Sequence, residues 1–73
     1  MDEKYAVIVE QLEKDRQLAV AKIFRSWLKI GLKEANDMVA QEPPIVVAEN
    51  FSQKDAINLQ QELEEAGVQA SIQ

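Results

Sequence analysis

Lys22, Arg25 and Lys29 recur at spacings of three and four residues, and Lys33 follows four residues later. On a helix this spacing stacks side chains along one face. A row of cations does the chemistry of attraction rather than of bond breaking. It raises the local positive potential and speeds encounter with an anionic partner. Leu18, one turn before Lys22, belongs to the same row and adds an apolar contact. With Arg16 included, residues 16–33 carry five bases and no acid, a segment of +5. The other positions hold the remaining three bases and all thirteen acids, which is −10, and the 73-residue chain nets −5. A basic segment is thus set into an acidic background.

The rest of the side-chain inventory argues against catalysis. The sequence has no histidine and no cysteine, so the commonest general base, the commonest metal ligand and every thiolate are missing. Glu62, Glu64 and Glu65 lie close together, but without such companions they read as a solvated helix face. Gly31 and Lys33 fall short of a phosphate loop, which needs more glycines and a Lys-Ser/Thr end. The expectation is no enzyme, no metal, no cofactor and no small-molecule substrate. Nucleic acid is disfavoured as a partner, because domains that bind phosphate backbones are usually basic overall. A protein with an acidic surface is the expected partner for Leu18, Lys22, Arg25, Lys29 and Lys33. Trp27 has two readings. Its spacing from Phe24 and Leu28 suits a core position, and its place beside Lys22 and Arg25 suits an interface anchor.

The elements that must position these residues can be read from periodicity. "YAVIVEQL" (5–12) is apolar on both faces at its start and predicts a strand, central in its sheet. "RQLAVAKIFRSWL" (16–28) predicts a helix, with Val20, Ile23, Phe24, Trp27 and Leu28 forming its buried stripe and Asp15 capping its start. Gly31 predicts a tight helix-helix turn through left-handed backbone. A second helix over 32–41 places Leu32, Ala35, Met38 and Val39 on one stripe and ends before Pro43-Pro44. "IVVAENF" (45–51) predicts a strand whose leading prolines suit a sheet edge.

Ser52, three residues before Asp55, predicts a capped helix start. The helix over 53–67 buries Ala56, Leu59, Leu63 and Ala66, with Ile57 near the stripe's edge, and Gly67 stops it. "VQASIQ" (68–73) alternates and predicts a last strand with Val68, Ala70 and Ile72 inward. An unpaired edge of that strand would leave a route to homodimers. The predicted class is α+β: one domain over 1–73, ordered strand-helix-helix-strand-helix-strand, with a three-stranded antiparallel sheet and three helices on one face. No apolar run approaches the ~18 residues of a membrane span. The N-terminus opens with acids and is unlike a signal peptide. A cytoplasmic protein is expected, and Met1 fits a chain that starts here.

Several of these residues also form a recognisable pattern. Gly31 to Ala35 read Gly-Leu-Lys-Glu-Ala, followed by Asp37, the pair Met38-Val39, Pro43-Pro44, Ser52-Gln53-Lys54, and Leu-Glu-Glu-Ala-Gly at 63–67. This run, with "YAVIVEQL" as a first strand, resembles the C-terminal domain of the bacterial ribosomal stalk protein, the large-subunit protein seven/twelve, over about residues 4–73. The resemblance implies the fold just described and a non-catalytic role, in which the first two helices recruit translation factors to the ribosome. Lys22 and Arg25 match the family's basic positions on the first helix, and Lys33 and Glu34 fall within its Gly-Leu-Lys-Glu-Ala run.

Other positions depart from the pattern. Gln17 and Asn36 stand where the family usually has lysine, and Ala21 where it has a larger aliphatic residue. "SWLKI" (26–30) replaces a loop of small residues and is expected to extend the first helix or thicken the core. The family's N-terminal dimerisation helices and hinge have no counterpart in these residues, so a stand-alone domain is expected. The partner is then a translation factor or the ribosome, or a non-ribosomal complex in which the chain is a structural or regulatory subunit.

Overall fold

The computed structural model describes residues 4–73. Its elements follow the predicted order: β1 (Tyr5–Gln11), α1 (Gln17–Leu28), α2 (Leu32–Val39), β2 (Ile45–Phe51), α3 (Gln53–Glu65) and β3 (Gln69–Ile72). The sheet is antiparallel with strand order β2-β1-β3, so β1 is central and the proline-led β2 is an edge. The alternation of β1 sorts its side chains. Val7 and Val9 enter the helix-covered core, and Ile8 takes the opposite face between Val46 and Ser71. α3 lies on the sheet, α1 packs on α3 and α2, and α2 rests mainly on α1. Phe24 is the largest fully buried side chain, joined in the core by Val20, Ile45, Leu59 and Leu63.

The start of α1 differs from expectation. A short 3-10 turn at Lys14–Arg16 precedes the helix, Asp15 lies inside that turn, and the cap residue is Arg16 with no side-chain cap bond. Asp15 lies ahead of the cap, so the first turn of α1 holds no acid and receives no side-chain cap bond. The α3 start is as predicted: Asp55 N–H donates to Ser52 Oγ at 3.2 Å. Its end is a Schellman turn. Val68 N–H donates to Leu63 O at 3.2 Å and Gly67 N–H to Glu64 O at 3.0 Å. Gly67 has φ +89, and the Arg16 side chain crosses just above it, its Nε 3.0 Å from where a Cβ would stand. The cationic side chain therefore covers the negative end of α3.

The two ends of the helical hairpin are fixed differently. Gln17 Nε2 donates to Val39 O at 3.2 Å, tying the first residue of α1 to a carbonyl at the end of α2. At the other end the left-handed residue is Lys29, with φ 55 and ψ 41, and its N–H closes α1 on Arg25 O. Gly31 is extended, at φ −76 and ψ 168, and serves as the cap residue of α2. Gly31 thus lies in the predicted turn, but the left-handed conformation assigned to it belongs to Lys29. A Cβ at Gly31 would meet nothing within 4 Å.

The free edge of β3 is partly closed. Ala6 and Gln73 exchange both backbone bonds, at 2.7 and 2.8 Å. Bonded pairs recur every second residue, so Ile8 and Ser71 form the next one and Ala70 turns its polar backbone away from β1. Gln60 Nε2 takes that outward carbonyl at 2.9 Å. One template bond for an incoming strand is thereby occupied.

The two glycines should behave oppositely on substitution. Gly67→Ala is expected to cost roughly 1–2 kcal/mol, because an L residue must hold left-handed backbone. Gly31→Ser is expected to be neutral or to stabilise by a few tenths of a kcal/mol, since serine caps helices slightly better than glycine. Urea unfolding of both variants checks this, and equal losses would contradict the assignment. Gln60→Ala should cost about 0.5–1.5 kcal/mol for one hydrogen bond and should speed amide exchange in β3 relative to β1.

Candidate functional site

The surface of α1 away from the core follows from the burial of its other side. Val20, Ala21 and Phe24 are buried, and Ile23, Trp27 and Leu28 are half-buried against the core. Leu18, Lys22 and Arg25 point to the other side and are exposed. At about 100° per residue these three positions fall in a wedge of roughly 60°. Lys29, exposed, stands at the end of the same helix as its left-handed cap. Lys33 lies in the first turn of α2, exposed and four residues beyond Lys29. No described acid forms an ion pair with any of these four cations.

Two large apolar side chains border the row. Leu18 is 64% exposed and Leu32 is 50% exposed. Leu32 was expected in the buried stripe of α2, and it lies outside. It occupies the first residue of an eight-residue helix whose buried residues are Ala35 and Val39, further along. Periodicity gave the direction of the stripe but not whether anything lies opposite its first turn. The position of Leu32, directly after the connection, was the available signal.

Trp27 is turned to the other side. It is half-buried, its ring meets Phe51 edge-on with centroids 6.0 Å apart at 85°, and its Nε1 donates to Glu62 Oε2 at 2.8 Å. This brackets the end of α1 against β2 and α3, and it gives Glu62 a hydrogen-bonding role. Ile30 and Leu28 are also half-buried against the core. Within "SWLKI", Ser26 to Leu28 form the end of α1, and Trp27, Leu28 and Ile30 add to the core. The arrangement as a whole offers an exposed, acid-free row of cations with exposed leucines on two helices, Leu18 and Leu32.

Comparison with known proteins agrees with the fold. Residues 5–73 match the family described as the ribosomal protein L7/L12 C-terminal domain. The chain is 40% identical over 65 residues to the large ribosomal subunit protein bL12c of Cyanidium caldarium, covering 89% of this chain and 49% of that protein. It is 39% identical over 74 aligned positions to bL12 of Ruthia magnifica subsp. Calyptogena magnifica, covering 90% of this chain and 58% of that one. The chain therefore spans about half the length of the curated relatives it matches. With the match running along nearly all of the chain and every element in the predicted order, the protein belongs to the ribosomal protein L7/L12 C-terminal domain family.

Proposed function

We propose that this domain is a non-catalytic docking module that binds an acidic protein surface through α1 and the start of α2. Leu18, Lys22, Arg25, Lys29 and Lys33 form the contact, with Leu32 beside them. The observation that carries the reading is Leu18, 64% exposed in line with Lys22 and Arg25. Leu32, 50% exposed and next to Lys33, adds a second large apolar side chain to the same acid-free row, so that a partner would find apolar contact among charges. The acid-free run of residues 16–33 supplies the charge complementarity.

Family membership supports the partner class. The relatives are large-subunit ribosomal proteins, and the first two helices are the part through which the stalk domain is expected to recruit translation factors. The domain then works beside the ribosome, in whatever compartment holds it. Residues 1–73 act as one such module, and Trp27 supports the end of α1 from within. The reaction is association alone, so no cofactor or metal enters it.

The test is a titration of isotope-labelled domain with purified translation factors, followed by NMR. Shifts are expected to concentrate on Leu18, Lys22, Arg25 and Leu32. The double change Lys22→Glu with Arg25→Glu should weaken binding by at least about tenfold through like-charge repulsion. It should leave the melting temperature nearly unchanged, because both side chains are exposed. Undiminished binding by the double variant would rule out this face.

A further inference from the structure

Lysine and glycine are placed against their backbone preferences at the α1–α2 connection. Lys29 holds left-handed backbone, φ 55 and ψ 41, where glycine or asparagine is the usual occupant. Gly31, two residues on, holds ordinary extended backbone with open space around its missing side chain. Glycine at position 29 would relieve that backbone cost, at the loss of a cation beside the negative end of α1. Nothing in the packing asks for lysine there: its side chain is exposed, and among the described residues it has no ion pair or side-chain hydrogen bond. Backbone held in a disfavoured region persists where the local side chain serves another end.

The end available is charge. Lys29 follows Lys22 and Arg25 at seven and four residues, and Lys33 continues four residues later on α2. At 1.5 Å per residue, Lys22 and Lys29 stand roughly 10 Å apart along the helix axis. Without Lys29 the cations on α1 would be separated from the one on α2 by the whole connection. We infer that Lys29 is a specificity-determining residue of the docking face. The left-handed turn places Lys29, exposed, between the two helices, so the face selects a protein partner whose acidic groups extend past the reach of Lys22 and Arg25. This inference rests on the docking reading above and adds the length of the acidic row that the partner must present.

Three single variants test it against the translation factor that the wild-type domain binds. Lys29→Gly removes both charge and backbone strain, Lys29→Asn removes the charge but tolerates the left-handed turn, and Lys29→Arg keeps the charge. The expected result is that Lys29→Gly melts roughly 4–8 °C higher than wild type. Both Lys29→Gly and Lys29→Asn should bind about threefold more weakly at 0.15 M salt, with the gap closing as salt is raised. Lys29→Arg should bind like wild type. Unchanged affinity for Lys29→Gly and Lys29→Asn, while the Lys22→Glu with Arg25→Glu variant is defective, overturns this inference and leaves the docking reading standing. Equal weakening by Lys29→Arg overturns it too, because charge would then not be the cause. Failure of the wild-type domain to bind any factor overturns both.

Discussion

The rotation of α1 about its own axis is the setting on which the rest of the molecule depends, and the burial of Val20 and Phe24 fixes it. Phe24 is fully buried, as are Val20 and Ala21. Truncating a buried phenylalanine in such a core costs about 3–5 kcal/mol, a large share of the roughly 5–15 kcal/mol that holds a small domain folded. A turn of even one residue about the helix axis, about 100°, would drive Lys22 or Arg25 toward the sheet. Neither could be buried there without a partner. The core therefore dictates which side chains form the exposed row. Leu18, Lys22 and Arg25 face outward because Val20, Ala21 and Phe24 must face inward.

α2 inherits its place from α1. Few of its residues reach the rest of the core: Ala35 and Val39 are buried, and its packing is mainly on α1. A helix of eight residues has little stability of its own. What holds it is the hairpin: Gln17 bonded to Val39 O at one end, and the left-handed Lys29 with the extended Gly31 at the other. The Trp27 bracket to Phe51 and Glu62 steadies the end of α1 from which that connection departs. Leu32 and Lys33, on α2, are thus positioned by contacts that neither of them makes.

Which parts of this were legible in the sequence follows from the range of the forces involved. The order of elements, the end of α3 at Gly67 and the cap at Ser52 are set by neighbours within a few residues, and pattern alone recovers them. Leu18 was also legible, because helical periodicity put it opposite Val20 and Phe24. Four features were not, one of them the exposure of Leu32, which the apolar stripe of α2 did not show. Asp15 looked like a cap, but the chain enters α1 through a 3-10 turn that uses it otherwise. Gly31 was the obvious left-handed residue, since glycine is the usual carrier of that conformation, and Lys29 took the role two residues earlier. Trp27 stayed open between core and interface because its partner, Glu62, lies 35 residues away and no local spacing points to it.

The same division explains why family membership is plain while partner identity needs an experiment. The marks that carry the resemblance are residues doing structural work: the apolar pair ending α2, the prolines before β2 and the Leu-Glu-Glu-Ala-Gly end of α3. Changing them costs stability, so they track the fold. The exposed face is under no such constraint. Surface substitutions away from special backbone usually shift stability by no more than about 0.5 kcal/mol, so Lys22 or Asn36 can change with little effect on folding, whereas Gln17 is held by its bond to Val39 O. The fold restricts which positions point outward and leaves their chemistry free. Lys29 is the place where that freedom meets a structural demand, because the residue that ends α1 in left-handed backbone is also an exposed cation between the two helices. A lysine in a glycine-favouring position gives up local backbone preference and leaves the exposed row with one more charge.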